Sequence, residues 1–308
     1  MNNKYNVINC FIMKSQLAII DKIILQQKKW AASNGIELRD AEHTYKVHDN
    51  LYGRSLYSKF EDEIKKGDGD EFSDHDGSPA KMSSLRSSSA LCVNVFAPQA
   101  VNGSTFSPIG INSLVGGSID DCNSYNLFFE DKHPTGAGTD ANLDVALKNG
   151  VKNYFIESKF MEPYDHISTD TVNFLKQSYL DIRTDVSHPR IKDKFIEFLP
   201  DEVAEELSTW TKKKYSDKNG EHIGILCHNY KIVDVAQLFK HVFGLMHTYE
   251  NDASKFMLIY LYYKADNLQE AELKRFKDML TNSPRGIHFD YISYQDYVAR
   301  LRNNGDNL

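Results

Sequence analysis

Three consecutive segments in the middle of the chain alternate apolar and polar residues, and they predict strands at 125–132, 142–148 and 153–160. The dipeptide Asn149-Gly150 lies between the second and third segments and predicts a hairpin with a turn of two residues or more. The β-branched and aromatic run at 255–264 and the segment "IHFDYIS" near the C terminus predict two further strands.

Apolar residues recur at helical spacing elsewhere, and the predicted helices cover 14–35, 50–72 with an end near Gly67, 79–98, 233–249 and 267–281, before a short terminal helix. The segment "SPIGINSLVGGSIDD" (107–121) has the composition of a loop. Residues 165–230 are predicted to form a helical insertion, in which "HIGILCH" is a candidate strand. An acidic, Gly-rich linker separates a helical N-terminal region (1–78), which contributes the first core helix, from an α/β core (79–308).

Composition and charge restrict the class of protein. The 308 residues are 41% hydrophobic and 12% aromatic, which suffices for a substantial core. No apolar run reaches membrane-spanning length and no signal peptide is evident, so a cytoplasmic protein without a membrane partner is expected. The cysteines form no CxxC pair, so neither a zinc site nor a disulfide framework is indicated. A net charge of −7 argues against indiscriminate nucleic-acid binding, but it leaves room for a local basic cleft.

Two acids and a lysine stand out on the predicted hairpin, whose strands are otherwise built for burial. Alternation puts Asp144 on one face of its strand and its apolar neighbours on the other, while Glu157 and Lys159 share a face of the next strand. Antiparallel pairing through the turn is expected to bring the three charged groups together at one end of the sheet. The apolar neighbours of Asp144 are Leu143, Val145 and Leu147.

Two converging carboxylates repel each other, and a divalent cation relieves the repulsion. Hard oxygen ligands that leave room for water and a substrate phosphate suit Mg²⁺. An adjacent ammonium can orient the attacking water and offset developing negative charge. The pattern therefore predicts a phosphodiester-hydrolysing site at Asp144, Glu157 and Lys159, and the alternative is a salt bridge on an exposed sheet face.

The arrangement Asp144…Glu157-Ser158-Lys159 resembles the signature of the PD-(D/E)XK nuclease superfamily, which has the restriction-endonuclease-like fold. From about residue 80 to 265 the chain is also similar to a family of predicted bacterial restriction endonucleases, in words such as "GTDANLDVAL" and "FIESKFMEPY". The resemblance implies an initial helix, three antiparallel strands, a helix and a fourth strand, in a mixed sheet flanked by helices. It also implies Asp144 and Glu157 as metal ligands and Lys159 as the catalytic lysine. The long segment between the third strand and the helix at 233 departs from the superfamily pattern, so the resemblance does not define the boundaries of the core.

The resemblance implies further candidate site residues, at positions that members of the superfamily often use. A glutamate on the first core helix is often part of the site, and Glu71 is preferred here over Glu61 and Glu63, which are alternatives. Glu130 ends a Phe-Phe run and is a candidate metal ligand or a strand-end residue, and Ser158, between the acid and the lysine, is a further candidate metal ligand. Gln237 shares a helical face with Lys240 and His241, and it could lie near the scissile phosphate or make ordinary amide hydrogen bonds.

The expected function is a cytoplasmic, Mg²⁺-dependent DNA endonuclease of restriction or defence type, with Mn²⁺ as a second cation. The alternatives are a repair or recombination nuclease acting on ends or branched DNA, and a non-catalytic DNA-binding protein that kept the fold. DNA is the expected partner. Further expected partners are a second copy of the chain, in a homodimer, and a cognate methyltransferase of the same restriction system.

Overall fold

The structure is a computed structural model that describes residues 2–51, 58–67, 71–101, 105–117, 124–165, 174–176, 211–217, 220–226 and 230–304. Its centre is a seven-stranded mixed sheet in the order β1-β2-β3-β4-β5-β9-β10. The strands are β1 (Ala100–Val101), β2 (Thr105–Phe106), β3 (Tyr125–Pro134), β4 (Asp140–Lys148), β5 (Asn153–Lys159), β9 (Phe256–Tyr262) and β10 (Phe289–Ser293). Strands β1 to β5 pair antiparallel, whereas β5, β9 and β10 run parallel.

The predicted hairpin forms between β4 and β5 with a four-residue turn, Asn149 to Lys152. Gly150 adopts φ +82°, a conformation that L side chains rarely take. The Asn149 side chain accepts hydrogen bonds from the backbone N–H groups of Val151 and Lys152 at 2.9 and 3.0 Å, so the turn is closed by its own first residue.

Helices cover both faces of this sheet. Those described are α1 (Asn2–Ser33), α2 (Ser58–Lys65), α3 (Ser88–Phe96), α4 (Pro108–Val115), α5 (Glu162–Asp165), α6 (Val235–Thr248), α7 (Leu268–Thr281) and α8 (Tyr294–Asn303). Helices α6 and α7 share one core cluster with the sheet, and α2, α3, α4 and α8 share the cluster on the other face. None of the described helices has the length and apolarity needed to cross a bilayer.

The architecture confirms the expected α/β class with a mixed sheet between helices. Every strand predicted from 125 to 160 and from 255 onward is present, as are the helices at 14–35, 233–249 and 267–281. The helix predicted at 79–98 is shorter, because residues 81–83 form a 3₁₀ turn before α3 begins.

Two predictions of local structure are wrong. The described part of the segment 107–121, residues 107–117, is not a loop, because Ser107 caps the N terminus of α4, Pro108 occupies its first turn and Gly116 ends it at φ +70°. Within the predicted helical insertion, 211–217 forms a strand and not a helix, whereas the candidate strand "HIGILCH" is confirmed over its described residues, 222–226. Strands β6 (Phe174–Lys176), β7 (Thr211–Asp217) and β8 (Gly220–Leu226) form a separate antiparallel sheet in the order β6-β8-β7. Most of the predicted insertion, 166–173 and 177–210, lies outside the described residues.

Candidate active site

Three carboxylates occupy successive strands at the same level of the central sheet. In the β3–β4 ladder, Glu130 and Asp144 fall between the paired residues on either side of them. The β4–β5 ladder ends at the pair Val145–Ile156, so Asp144 and Glu157 are the next positions along each strand. The hairpin register therefore brings Asp144 between Glu130 and Glu157.

The alternation of faces breaks at this level. Leu143 belongs to the core cluster under α6, whereas Val145 belongs to the opposite cluster, so the prediction that they share a face is wrong. Across the ladder Glu130 has φ +52°, which strand residues other than glycine seldom adopt. The Asp144 carboxylate accepts the backbone N–H of Ser158 at 2.6 Å, and so takes the place of a main-chain partner where β4 and β5 separate. Backbone irregularity of this kind is concentrated at functional sites.

Glu157 is held between two cationic or polar side chains. Lys159 Nζ lies 2.6 Å from its Oε1 and His241 Nε2 lies 2.8 Å from its Oε2. Glu157 and His241 are only 2% and 1% exposed, and the side chain of Lys159 is 14% exposed. Burial alone would raise the pKa of Glu157, but Lys159 and His241 outweigh it and hold that pKa at about 2. Glu157 is therefore ionised and paired.

The surroundings of Asp144 and Glu130 raise the pKa values of these carboxyl groups, in contrast to the lowered pKa of Glu157. Burial, followed by the charges of Glu157 and Glu130, raises the pKa of Asp144 well above its ordinary value. Burial and then the charge of Glu71 raise the pKa of Glu130 to about 7, although the Asn142 amide donates a hydrogen bond to its Oε2. The site therefore favours bound protons, or another source of positive charge, at these two carboxylates.

Among the three N-terminal glutamates, Glu71 lies close enough to this cluster for its charge to raise the pKa of Glu130. It lies beyond the end of α2, and its backbone carbonyl accepts the N–H of Met82. Glu61 pairs with Lys65 within α2, and Glu63 accepts the backbone N–H of Phe129 at 3.0 Å. Those two contacts explain Glu61 and Glu63 without a role in the site.

Ser158 and Gln237 lie in positions less suited to a metal ligand and to a phosphate contact, respectively, than the sequence suggested. The Ser158 hydroxyl forms a hydrogen bond with the Tyr294 hydroxyl at 2.6 Å, within the core cluster on the sheet face opposite α6. Ser158 could therefore reach a cation only through its main-chain carbonyl. The backbone N–H of Gln237 donates to the capping residue Asp234, and its side chain makes no hydrogen bond to Asp144, Glu157 or Lys159.

The sequence did not single out two neighbours of Glu157. His241 lies one helical turn beyond Gln237 on α6, and Tyr260 pairs with Glu157 across the parallel β5–β9 ladder. The Tyr260 hydroxyl is buried and has no hydrogen-bond partner among the described residues. The only signal for His241 in the sequence was its place on the same helical face as Gln237.

The donor groups that a cation could use at this site are few. No group of three or more His, Cys, Asp or Glu side chains in the described part of the chain is arranged to hold a metal ion. Asp144 and Glu157 nevertheless supply two hard carboxylates at one level of the sheet. Mg²⁺ is commonly bound through one or two protein carboxylates, with water and substrate phosphate as its other ligands. The residues therefore fit a Mg²⁺ site that substrate and water complete.

Comparison with protein families identifies a match for most of the chain. The model of a family described as Restriction Endonuclease associating with ARP matches residues 24–308. No match is found among curated proteins or among solved structures.

Proposed function

The chain belongs to the family of restriction endonucleases associating with ARP, and on that premise we propose that it is a Mg²⁺-dependent DNA endonuclease of the PD-(D/E)XK type. Mn²⁺, which also favours oxygen ligands, is the expected substitute cation. The proposed setting is a cytoplasmic restriction or defence system. Its partners would be a second copy of the chain, a cognate methyltransferase and the ARP partner that the family's description names.

The observation that carries this proposal is the convergence of Asp144, Glu157 and Lys159 at the open end of the β4–β5 hairpin. Asp144 and Glu157 occupy facing positions just beyond the last pair of the ladder, and Lys159 contacts Glu157 at 2.6 Å. Burial opposes the charge on Lys159, but Glu157, Glu162 and Asp144 outweigh it and raise the lysine's pKa well above its ordinary value. The site thus keeps a permanent ammonium beside two carboxylates.

Each side chain has a distinct part in the proposed reaction. Asp144 and Glu157 would hold the cation, which when bound lowers the pKa of water and neutralises phosphodiester charge. Lys159 would orient the attacking water and offset the charge that develops on the phosphate, because its ammonium is fixed in place before reaction. Glu130 and Glu71 extend the acidic row on the β3 side, where their repulsion favours cation entry.

The family's description favours restriction over repair, and end mapping distinguishes the two. Purified protein is incubated with linear and covalently closed circular DNA, with Mg²⁺, with Mn²⁺ or with EDTA, and the new ends are sequenced. The proposal expects cation-dependent cleavage of both substrates at internal positions. Cleavage of linear DNA only would replace it with an end-directed nuclease, and binding without cleavage under every cation would replace it with a DNA-binding protein.

A further inference from the structure

We propose that His241 is a positioning residue for Glu157, and that it holds one carboxylate oxygen so that the other faces Lys159 and Asp144. This inference rests on the proposed function, since it concerns how Glu157 is presented to a cation. It adds a residue on α6 to a site otherwise built from strands β3, β4 and β5.

The geometry of the contact carries the proposal. His241 Nε2 lies 2.8 Å from Glu157 Oε2, on the opposite oxygen from Lys159 Nζ. Neither contact of Glu157 has the alignment of a hydrogen bond, so Oε1 and both ring nitrogens of His241 are buried polar atoms without an aligned partner among the described residues. Unsatisfied polar atoms at this depth are costly, and their convergence on one carboxylate marks a site that a ligand completes.

The placement of His241 depends on an unusually close approach of α6 to the sheet. Gly244 lies one turn beyond His241, and a Cβ added there would come within 2.6 Å of the Ala141 Cβ and 3.0 Å of the His133 carbonyl oxygen. Only a residue without a side chain fits this contact. The approach buries His241 against Glu157, so the ring occupies a fixed position.

The consequence concerns how Glu157 binds a cation. Because Oε2 lies against the His241 ring at 2.8 Å, Oε1 is the oxygen placed to turn from Lys159 toward a cation shared with Asp144. Groups that orient a ligand in this way commonly alter metal affinity by about 10- to 100-fold when they are replaced. His241 should therefore act on cation affinity and on DNA cleavage, but not on DNA binding in the absence of a cation.

Two substitutions separate positioning from simple packing. His241→Gln places an amide N–H near the position of Nε2, whereas His241→Asn is equally polar but too short to reach it. Mn²⁺ affinity of the full chain is measured by calorimetry without DNA, and DNA affinity is measured in EDTA. His247→Gln, an exposed position on the same helix, is the control.

The expected result is a loss of Mn²⁺ affinity by about 10- to 100-fold in His241→Asn, a smaller loss in His241→Gln and none in His247→Gln. DNA affinity in EDTA should be equal in all four proteins. Folded His241→Asn protein that binds Mn²⁺ as tightly as wild type, or an equal loss in the Gln and Asn variants, would overturn the positioning role alone. If wild type itself binds no divalent cation, the proposed function fails and this inference fails with it.

Discussion

Replacing Glu130 by glutamine should stabilise the protein at high pH and have little effect at low pH. Glu130 is a partly buried carboxyl whose pKa is raised from its ordinary 4.5 to about 7 by burial and by Glu71. A tenfold change in proton affinity corresponds to about 1.4 kcal/mol, so this displacement is worth about 3.5 kcal/mol at most. Glutamine keeps the shape and can still accept the hydrogen bond from Asn142, but it carries no charge.

The sign follows from the protonation of the two states. Below about pH 4.5 Glu130 is protonated in both the folded and the unfolded chain, so the variant gains nothing there. Between about pH 4.5 and 7 the unfolded chain releases this proton while the folded protein keeps it, and wild type therefore loses stability as the pH rises. Above about pH 7 the folded wild type carries the buried charge and the difference is complete.

The assay is urea unfolding in EDTA at about pH 5 and about pH 8, with the free energy of unfolding compared between wild type and Glu130→Gln. Asp62→Asn, at an exposed carboxylate on α2, is the control and should change stability by no more than about 0.5 kcal/mol. Mg²⁺ should reduce the difference in the free energy of unfolding between wild type and Glu130→Gln at high pH, since a cation offsets the same repulsion. An equal difference between Glu130→Gln and wild type at both pH values would refute the electrostatic account of this site.

The other predictions concern chemistry, DNA binding and packing. Lys159→Ala should lower the cleavage rate by about 10²-fold or more while Mn²⁺ binding survives, and unchanged turnover would mean that another group supplies the charge. Asp144→Ala should bind DNA in EDTA as tightly as wild type at one fixed salt concentration, because the raised pKa of Asp144 favours an uncharged side chain when no cation is bound; weaker binding by a folded variant would contradict this. Gly244→Ala should destabilise the protein by about 1–3 kcal/mol in urea unfolding, because its Cβ would lie 2.6 Å from the Ala141 Cβ; an unaltered midpoint would show that α6 can move away without cost.

The sequence predicted the middle of the sheet well because alternation and turn chemistry act locally. Asn149 closes the hairpin with its own side chain, so a few consecutive residues determine the turn. The same local capping logic would have identified α4, where Ser107, Pro108 and Gly116 mark both ends of a helix that composition alone suggested was a loop.

The remaining features of the site depend on contacts between segments far apart in the chain. The change of face at Asp144 accompanies a hydrogen bond from the Ser158 N–H to its carboxylate across the ladder, which a strict two-residue period cannot indicate. The meeting of His241 with Glu157 requires α6 to pack closely at Gly244, so nothing near either residue in sequence predicts the contact. The hydrogen bond of the Ser158 hydroxyl likewise could not be predicted from the sequence, because its partner Tyr294 lies on the final helix.

The central claim is that the carboxylates of the hairpin support DNA hydrolysis, and the most direct test is the cleavage rate of Asp144→Asn protein beside wild type. Both proteins are incubated with the same DNA in Mg²⁺, after urea unfolding has shown that the variant is folded. The account predicts cation-dependent cleavage by wild type and none by Asp144→Asn, because the variant keeps the shape of the side chain but loses its charge. Cleavage by folded Asp144→Asn at the wild-type rate would contradict the assignment of this site.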